Sequence, residues 1–468
     1  MFPGAFIRRL SLQPYLDPES LLEALALPSP VSVRINRAKW EGIPELGEKI
    51  PWSSSGYWLR SRPSFTIDPL FHAGCYYPQE ASGMFLEQIV HQLLPERNNI
   101  KILDLCGAPG GKSTILSDLA GEESLVVCNE VIRSRAHILA ETLTKWGSSN
   151  TLVTQSDPSA FGNLQGFFDL VLVDAPCSGE GMFRTEVAIG EWSEENAQLC
   201  CERQRRILMD VWPSLREGGI LVYSTCTFNP AENEEIVEWL VGLRYAESLR
   251  IGLNSFEGIT EISRSGIYGY GFYPDRIRGE GLFMAAVRKR DRPFASSKPK
   301  DRDNDLKATA SEVKQAMEWS GFDPRCIVRI GHDIIALPCT GHEYNTLKRS
   351  LRIIRPGTGI ATVKNNDIIP SHELAMSVTF RAESFPSFNA DIDMARMYLR
   401  RDLPACGCST GWNVMKYNNI PLGFVKNIGS RINNYYPMDW RIRMDQSNMP
   451  GLEMIRWSGD TAATASRS

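Results

Sequence analysis

KILDLCGAPGGKST, residues 101–114, decides how this chain is read. Lys101–Leu105 is a short apolar run ending in an acid and a leucine. A glycine-rich turn, Cys106–Gly111, follows, and Lys112-Ser113-Thr114 opens a helical pattern. Strand, tight turn and helix in this order form the first unit of a doubly wound sheet. Four further apolar runs continue the pattern: SLVVCNE at 124–130, TLVTQSD at 151–157, FDLVLVDAPC at 168–177 and GGILVYSTC at 218–226. Helical patterns lie between them, at Arg133–Trp146 and Glu194–Leu215. Near-continuous apolar strands alternating with helices predict a parallel sheet covered on both faces. GLFMAAVRK at 281–289 reads as a late strand of the same sheet. The fold class is therefore α/β, with a Rossmann-like sheet over 71–290.

On the N-terminal side, residues 1–70 mix a short helical start with strand-like pieces such as Ser32–Asn36, a small α+β region. On the C-terminal side, 291–312 is charged and poor in large apolar groups, which suits a linker. An intermediate α+β domain is predicted over 313–380, a β-rich domain over 381–455 and a disordered tail over 456–468. The 468 residues suit two to four domains. At 43% hydrophobic and 23% charged, the composition excludes wholesale disorder. No apolar run approaches the length of about 18 residues that spans a membrane, and the N-terminus lacks the apolar stretch of a signal peptide. Eleven cysteines, an odd number, suit free thiols and a cytoplasmic location rather than a disulfide framework. The net charge of −4 neither marks nor excludes a nucleic-acid binder, because local patches decide binding.

The loop Cys106–Ser113 approaches a phosphate-binding P-loop, and Asp174 at a later strand end would suit a magnesium ligand. The fit fails at Cys106, where a P-loop has glycine, and at Pro109, which removes an amide N–H. A dinucleotide site fits less well, because no G-x-G-x-x-G is present. A loop that holds a carboxylate, an adenosine and a sulfonium needs small residues, helix N-terminal amides and an acid at the second strand end. Glu130 occupies that place for ribose hydroxyls, and Asp157 at the third strand end suits an adenine amino group. This is the layout of an S-adenosylmethionine site. Each acid also reads as an ordinary polar strand end. Three at successive strand ends favour a ligand, since ligands bind at the carboxyl edge of such sheets.

Cys177 and Cys226 follow the fourth and fifth runs. Neighbouring parallel strands lie about 5 Å apart, so both thiols can face one crevice if those strands are adjacent. Two strand-end thiols beside Asp174 and a methyl donor suit methylation of cytosine at C5. A thiolate adds to C6 and makes C5 nucleophilic; a base then removes the C5 proton and the thiol leaves. The base must be unstacked to be reached.

DLCGAPGGKST (104–114), DAPCSGEGMFR (174–184), YSTCTFNPAENEEIVE (223–238) and YPDRIRGEGLFMA (273–285) resemble motifs of the RNA 5-methylcytosine methyltransferases of the RsmF and Sun group. FHAGCYYPQEASGMF at 71–85 resembles the segment upstream of that family's cofactor loop. PSHELAMS (370–377) and PLGFVKN (421–427) resemble the C-terminal third of bacterial RsmF enzymes, which carries a PUA-like RNA-binding module. The resemblance implies a monomeric, S-adenosylmethionine-dependent enzyme acting on cytidine in small-subunit ribosomal RNA. It implies that Cys106, Gly107, Ala108, Pro109, Gly110, Gly111 and Lys112 hold the methionine part of the cofactor. Glu130 would bind ribose, Asp157 adenine, and Asp174 would sit between cofactor and cytosine. Cys226 would be the nucleophile and Cys177 would assist release. Gly107 departs from the family's usual alanine.

Outside these motifs, Arg276 and Arg278 read as phosphate contacts or as ordinary surface charge. Segment 416–443 interleaves Lys416, Lys426, Arg431, Arg441 and Arg443 with Tyr417, Phe424, Tyr435, Tyr436 and Trp440. That mixture suits RNA backbone contact and base stacking, or a β-barrel core with a charged rim. Cys406 and Cys408 lack a partner pair for zinc. An RNA-binding assembly factor with an inactive methyltransferase fold is the competing reading, and the presence of both Cys177 and Cys226 argues against it.

Overall fold

The structure, a computed structural model, describes residues 2–243, 246–254, 256–290, 306–365, 367–404, 407–444 and 451–458. Its centre is one large sheet. Five strands run parallel in the order Thr151–Thr154, Leu125–Asn129, Lys101–Asp104, Phe168–Asp174, Leu215–Thr225. The chain thus starts in the middle and winds outward both ways, so the switch point lies beside Lys101–Asp104. The Cys106–Gly111 loop leaves that strand at its carboxyl end, where such sheets bind ligands.

Alternate residues of each strand feed opposite faces. Ile102, Val126, Leu170 and Leu172 enter one buried cluster, and Leu103, Val127, Val171 and Val173 enter the other. Burial on both sides is why these strands read as continuous apolar runs. The late strand, Leu282–Lys289, joins as expected, but antiparallel to Leu215–Thr225. At the other edge Ile353–Arg355, from the intermediate region, pairs antiparallel with Thr151–Thr154. Arg355 is buried there, donating from Nη1 to Thr151 Oγ1 at 3.0 Å and from Nε to Glu373 at 3.1 Å.

The two ends of the chain pack together. A four-stranded N-terminal sheet (Glu48–Lys49, Gly56–Leu59, Val31–Ile35, Tyr76–Pro78) faces a C-terminal sheet (Ser387–Asn389, Gly411–Tyr417, Ile420–Asn427, Ile432–Asn434). Val33, Ile35 and Tyr76 share one core with Tyr398, Met415, Val425 and Tyr436.

Two sequence boundaries shift. The linker was expected to run to 312, but Leu306 is buried, Lys307 bridges Val328, and Thr309 and Glu312 form a capping box on the helix Ala310–Trp319. Two orphan N-terminal amides are satisfied by that box, so structure begins before the charged stretch ends. Residues 291–305 lie outside the described residues. The tail was expected to be disordered from 456, yet Trp457 is 2% exposed, its ring 5.2 Å from that of Tyr76, and Ser458 N donates to Ile43 O. One buried tryptophan outweighs the polar composition around it. Residues 459–468 lie outside the described residues. No helix among the described residues is long and apolar enough to cross a membrane.

Candidate active site

The loop after Lys101–Asp104 is shaped by close approach. Gly107 N donates to Asn129 O at 2.8 Å, and a Cβ on Gly107 would lie 2.8 Å from Ser113 Oγ. Gly110 caps the helix Gly111–Leu119 with φ +117°, and a Cβ there would lie 2.7 Å from Thr142 Cγ2. Only glycine takes that conformation without strain. The loop therefore sits low against the sheet and leaves the helix N-terminus open to a ligand.

Two buried carboxylates face this loop with oxygens that no hydrogen bond uses, Asp104 Oδ1 and Glu130 Oε2. Asp104 Oδ2 accepts from Ser113 Oγ at 2.6 Å. Burial pushes the Asp104 carboxyl up to about 7, and repulsion from Asp174 and Glu130 adds to this. Glu130, 3% exposed, accepts from Ile132 N through Oε1, while Arg135 lies 3.3 Å from Oε2. Asp104 Oδ1 accepts no hydrogen bond and Glu130 Oε2 has only the Arg135 charge beside it, so a donor-bearing ligand would satisfy both. Asp157 stands exposed at its strand end. Its Oδ1 accepts from Ser159 N and Oγ, and these bonds hold its carboxyl below the usual range. Cys106 is half-buried, and burial together with Asp104 raises its thiol.

The two strand-end cysteines meet. Phe168–Asp174 and Leu215–Thr225 are neighbours, with Asp174 opposite Ser224. Cys177 Sγ lies 3.2 Å from Cys226 Sγ, and Cys226 N donates to Cys177 Sγ at 3.3 Å. Asp174 accepts from Lys112 Nζ at 2.8 Å and from Ser224 Oγ at 2.6 Å. Burial disfavours the Lys112 charge, but Asp174, Cys226 and Asp104 outweigh it and raise the ammonium. The hydrogen bond from Cys177 and the Lys112 charge hold the Cys226 thiol below its usual range, against burial and Asp174. Cys177 moves the opposite way, raised by its bond to Cys226, by burial and by Glu232. A contact this close lets one of the two thiols ionise while the other keeps its proton.

Several residues at the site had no signal in the sequence. Asp104 read only as a strand end. Glu232, fully buried, accepts from Ser178 N and Oγ, Asn229 and Gln204. Gly181 N donates to Cys226 O at 2.9 Å, and a Cβ on Gly181 would collide with the carbonyls of Gly281 and Cys226. GEGM, TCTF and GEGL thus stack at one point; a glycine recurring in motifs far apart was the available hint.

Other expectations resolve differently. Arg276 Nη2 donates to Tyr15 O at 2.6 Å, and Arg278 Nη2 to Leu59 O at 2.7 Å, so both brace the N-terminal region. In segment 416–443, Phe424 and Tyr436 are fully buried and Tyr417 is 7% exposed. These three belong to the core, not to a stacking surface. The half-exposed rings are Tyr435 and Trp440, together with Trp412, which the sequence reading passed over. Trp412 and Tyr435 have ring centroids 4.5 Å apart, and Lys426 Nζ sits 5.1 Å above the Trp412 ring. Cys406 lies outside the described residues, and Cys408 is a half-buried free thiol whose carbonyl accepts from Asn427.

Three family models match the chain. One described as "16S rRNA methyltransferase RsmB/F" matches residues 91–288, the "N-terminal domain of 16S rRNA methyltransferase RsmF" residues 2–81, and the "Methyltransferase RsmF PUA domain" residues 385–442. Ribosomal RNA small subunit methyltransferase F of Aliivibrio salmonicida is 28% identical, covering 93% of this chain and 97% of the relative. The protein of that description from Enterobacter sp. strain 638 is also 28% identical, covering 94% and 95%. Among solved structures, a methyltransferase homolog protein from Pyrococcus horikoshii is 26% identical with a TM-score of 0.50, covering 61% of this chain and 99% of that one. NSun6 from the same organism, solved with SFG, has a TM-score of 0.51 at 18% identity over 62% and 99%, a likeness of fold.

Proposed function

Because the chain belongs to the RsmB/F family of 16S rRNA methyltransferases, we propose that it methylates C5 of a cytidine in 16S rRNA through a covalent adduct on Cys226. One observation carries this reading: two thiols 3.2 Å apart at adjacent strand ends, beside the Asp174–Lys112 pair. S-adenosylmethionine supplies the methyl group on its sulfonium. The backbone of Cys106–Gly111 would hold its methionine part. Asp104 Oδ1 and Glu130 Oε2 suit its ammonium and ribose donors, and Asp157 its adenine.

Cys226, held as thiolate, adds to C6 of the unstacked cytosine and pushes electron density to C5. Asp174, fixed by Lys112 and Ser224, accepts from the cytosine amino group and orients the ring. C5 takes the methyl group. Loss of the C5 proton to a base in the site then expels the Cys226 thiolate and restores the ring, with Cys177 assisting the release. Lys426, Arg431, Trp412 and Tyr435 on the C-terminal sheet suit contact with RNA phosphates and bases.

The test is methyl transfer from labelled S-adenosylmethionine to 16S rRNA, followed by bisulfite sequencing. The expected product is 5-methylcytidine at a defined position. Label on another base or another ring atom would remove the reading.

A further inference from the structure

Neither the strand ends nor the cofactor loop explains why two identical thiols in contact should take different roles. The difference lies beneath them. Glu232 is 0% exposed and lies in the turn before the helix Glu234–Gly242. Four donors converge on its carboxylate. Ser178 N donates at 2.8 Å and Ser178 Oγ at 2.5 Å; Asn229 Nδ2 and Gln204 Nε2 each donate at 3.1 Å. Gln204 Nε2 also reaches Pro176 O at 3.1 Å, so one amide grips the residue before Cys177 while Glu232 holds Ser178, the residue after it. The backbone joins in: Tyr223 OH donates to Glu232 O at 2.7 Å, tying the same turn to the strand that ends at Cys226. Thr227 Oγ1 lies 2.9 Å from Ser178 Oγ, linking the two cysteine loops directly.

We infer that Glu232 is a positioning residue for the thiol pair: it clamps Ser178, and with it Cys177, against the Cys226 loop and so sets how the two sulfurs differ. This rests on the proposed roles of Cys226 and Cys177. Charges are distributed across the pair accordingly. Lys112, bonded to Asp174, acts on Cys226, whereas Glu232 acts on Cys177. Cys200, Cys201 and Tyr223 also face Glu232; burial raises each of them first and Glu232 adds to it, so none competes as an anion there. A carboxylate with four donors is a strong anchor, because each charge-assisted bond is worth more than a neutral one. Near a thiol in a dry site, the same charge disfavours a second anion.

The test compares the two thiols in the full chain without RNA. Iodoacetamide is titrated against pH, and peptides carrying Cys177 and Cys226 are quantified by mass spectrometry. In the unsubstituted protein Cys226 is modified first. Glu232→Gln keeps the size and removes the charge, so the preference for Cys226 over Cys177 is expected to narrow by about tenfold. An unchanged preference, in a variant with native circular dichroism and native S-adenosylmethionine binding, would overturn the inference. Should that variant not fold, Ser178→Ala removes one clamp bond and keeps the charge. Its methyl transfer is expected to lose about tenfold in kcat at constant KM for RNA, with the thiol preference retained. An unaltered kcat overturns the clamp. The alkylation uses no RNA, so its failure is separable from failure of the cytosine assignment.

Discussion

The carboxyl edge of the central sheet and the joint between the two chain ends are both built from aromatic, thiol and charged residues, yet they respond differently to inspection of sequence. At the sheet edge a residue's position along its strand sets its place in space. Asp174 and Cys177 on one strand meet Ser224 and Cys226 on the next, because parallel neighbours in register put their ends side by side. At the terminal joint, position within a segment says little about exposure. Tyr435 and Tyr436 are consecutive, but Tyr435 meets Trp412 edge-on at the rim while Tyr436 is buried, donating to Trp440 O and contacting His72 and His372. Alternation across a strand puts neighbours on opposite faces, and only the packing partner says which face is wet.

Substitutions at the thiols bear hardest on this contrast. Cys226→Ala should abolish methyl transfer and form no adduct. Cys177→Ala should still attack RNA and methylate, then stall before elimination. A protein–RNA complex that survives denaturing electrophoresis should accumulate with Cys177→Ala alone. The reverse pattern would exchange the two roles.

The adjacent tyrosines come next. Tyr436→Ala leaves a large hole in a shared core and should cost about 3 kcal/mol or more, read as a lowered thermal midpoint. Tyr435→Ala should lower the midpoint by less, because Tyr435 is only partly buried against the cluster that holds Phe424 and its loss opens a smaller hole. Equal losses would erase the distinction between rim and core.

A smaller effect is expected at the cofactor loop. Glu130→Ala removes the buried acceptor proposed for ribose hydroxyls, so calorimetry should show S-adenosylmethionine binding weaker by about tenfold or more. An unchanged affinity would detach Glu130 from the site. Smallest is charge reversal at Lys426 and Arg431. RNA affinity should fall a few-fold and its salt dependence should flatten by roughly one contact per charge, with cofactor affinity constant. Native RNA affinity and slope would make that rim a solvated surface only.

Sequence by itself determined the parallel strands, the glycine loop and the acids and thiols at strand ends. Each depends on local patterning: apolar runs of strand length, turn residues between them, and glycine where φ is positive. Adjacency of the fourth and fifth runs stayed open in the sequence; the sheet order supplied it, and with it the meeting of Cys177 and Cys226. Tertiary structure alone decided the rest. NPAENEE reads as an acidic helix start, and nothing local says that Glu232 lies beneath two loops while Glu235, three residues on, does not. Arg276 and Arg278 read as free charge until the N-terminal carbonyls they hold are in place. Trp457 looks like part of a polar tail until Tyr76, nearly four hundred residues earlier, supplies its partner. In each case the deciding contact joins residues far apart in the chain, and its strength comes from excluding water there. Periodicity carries no information about which distant surface does the excluding.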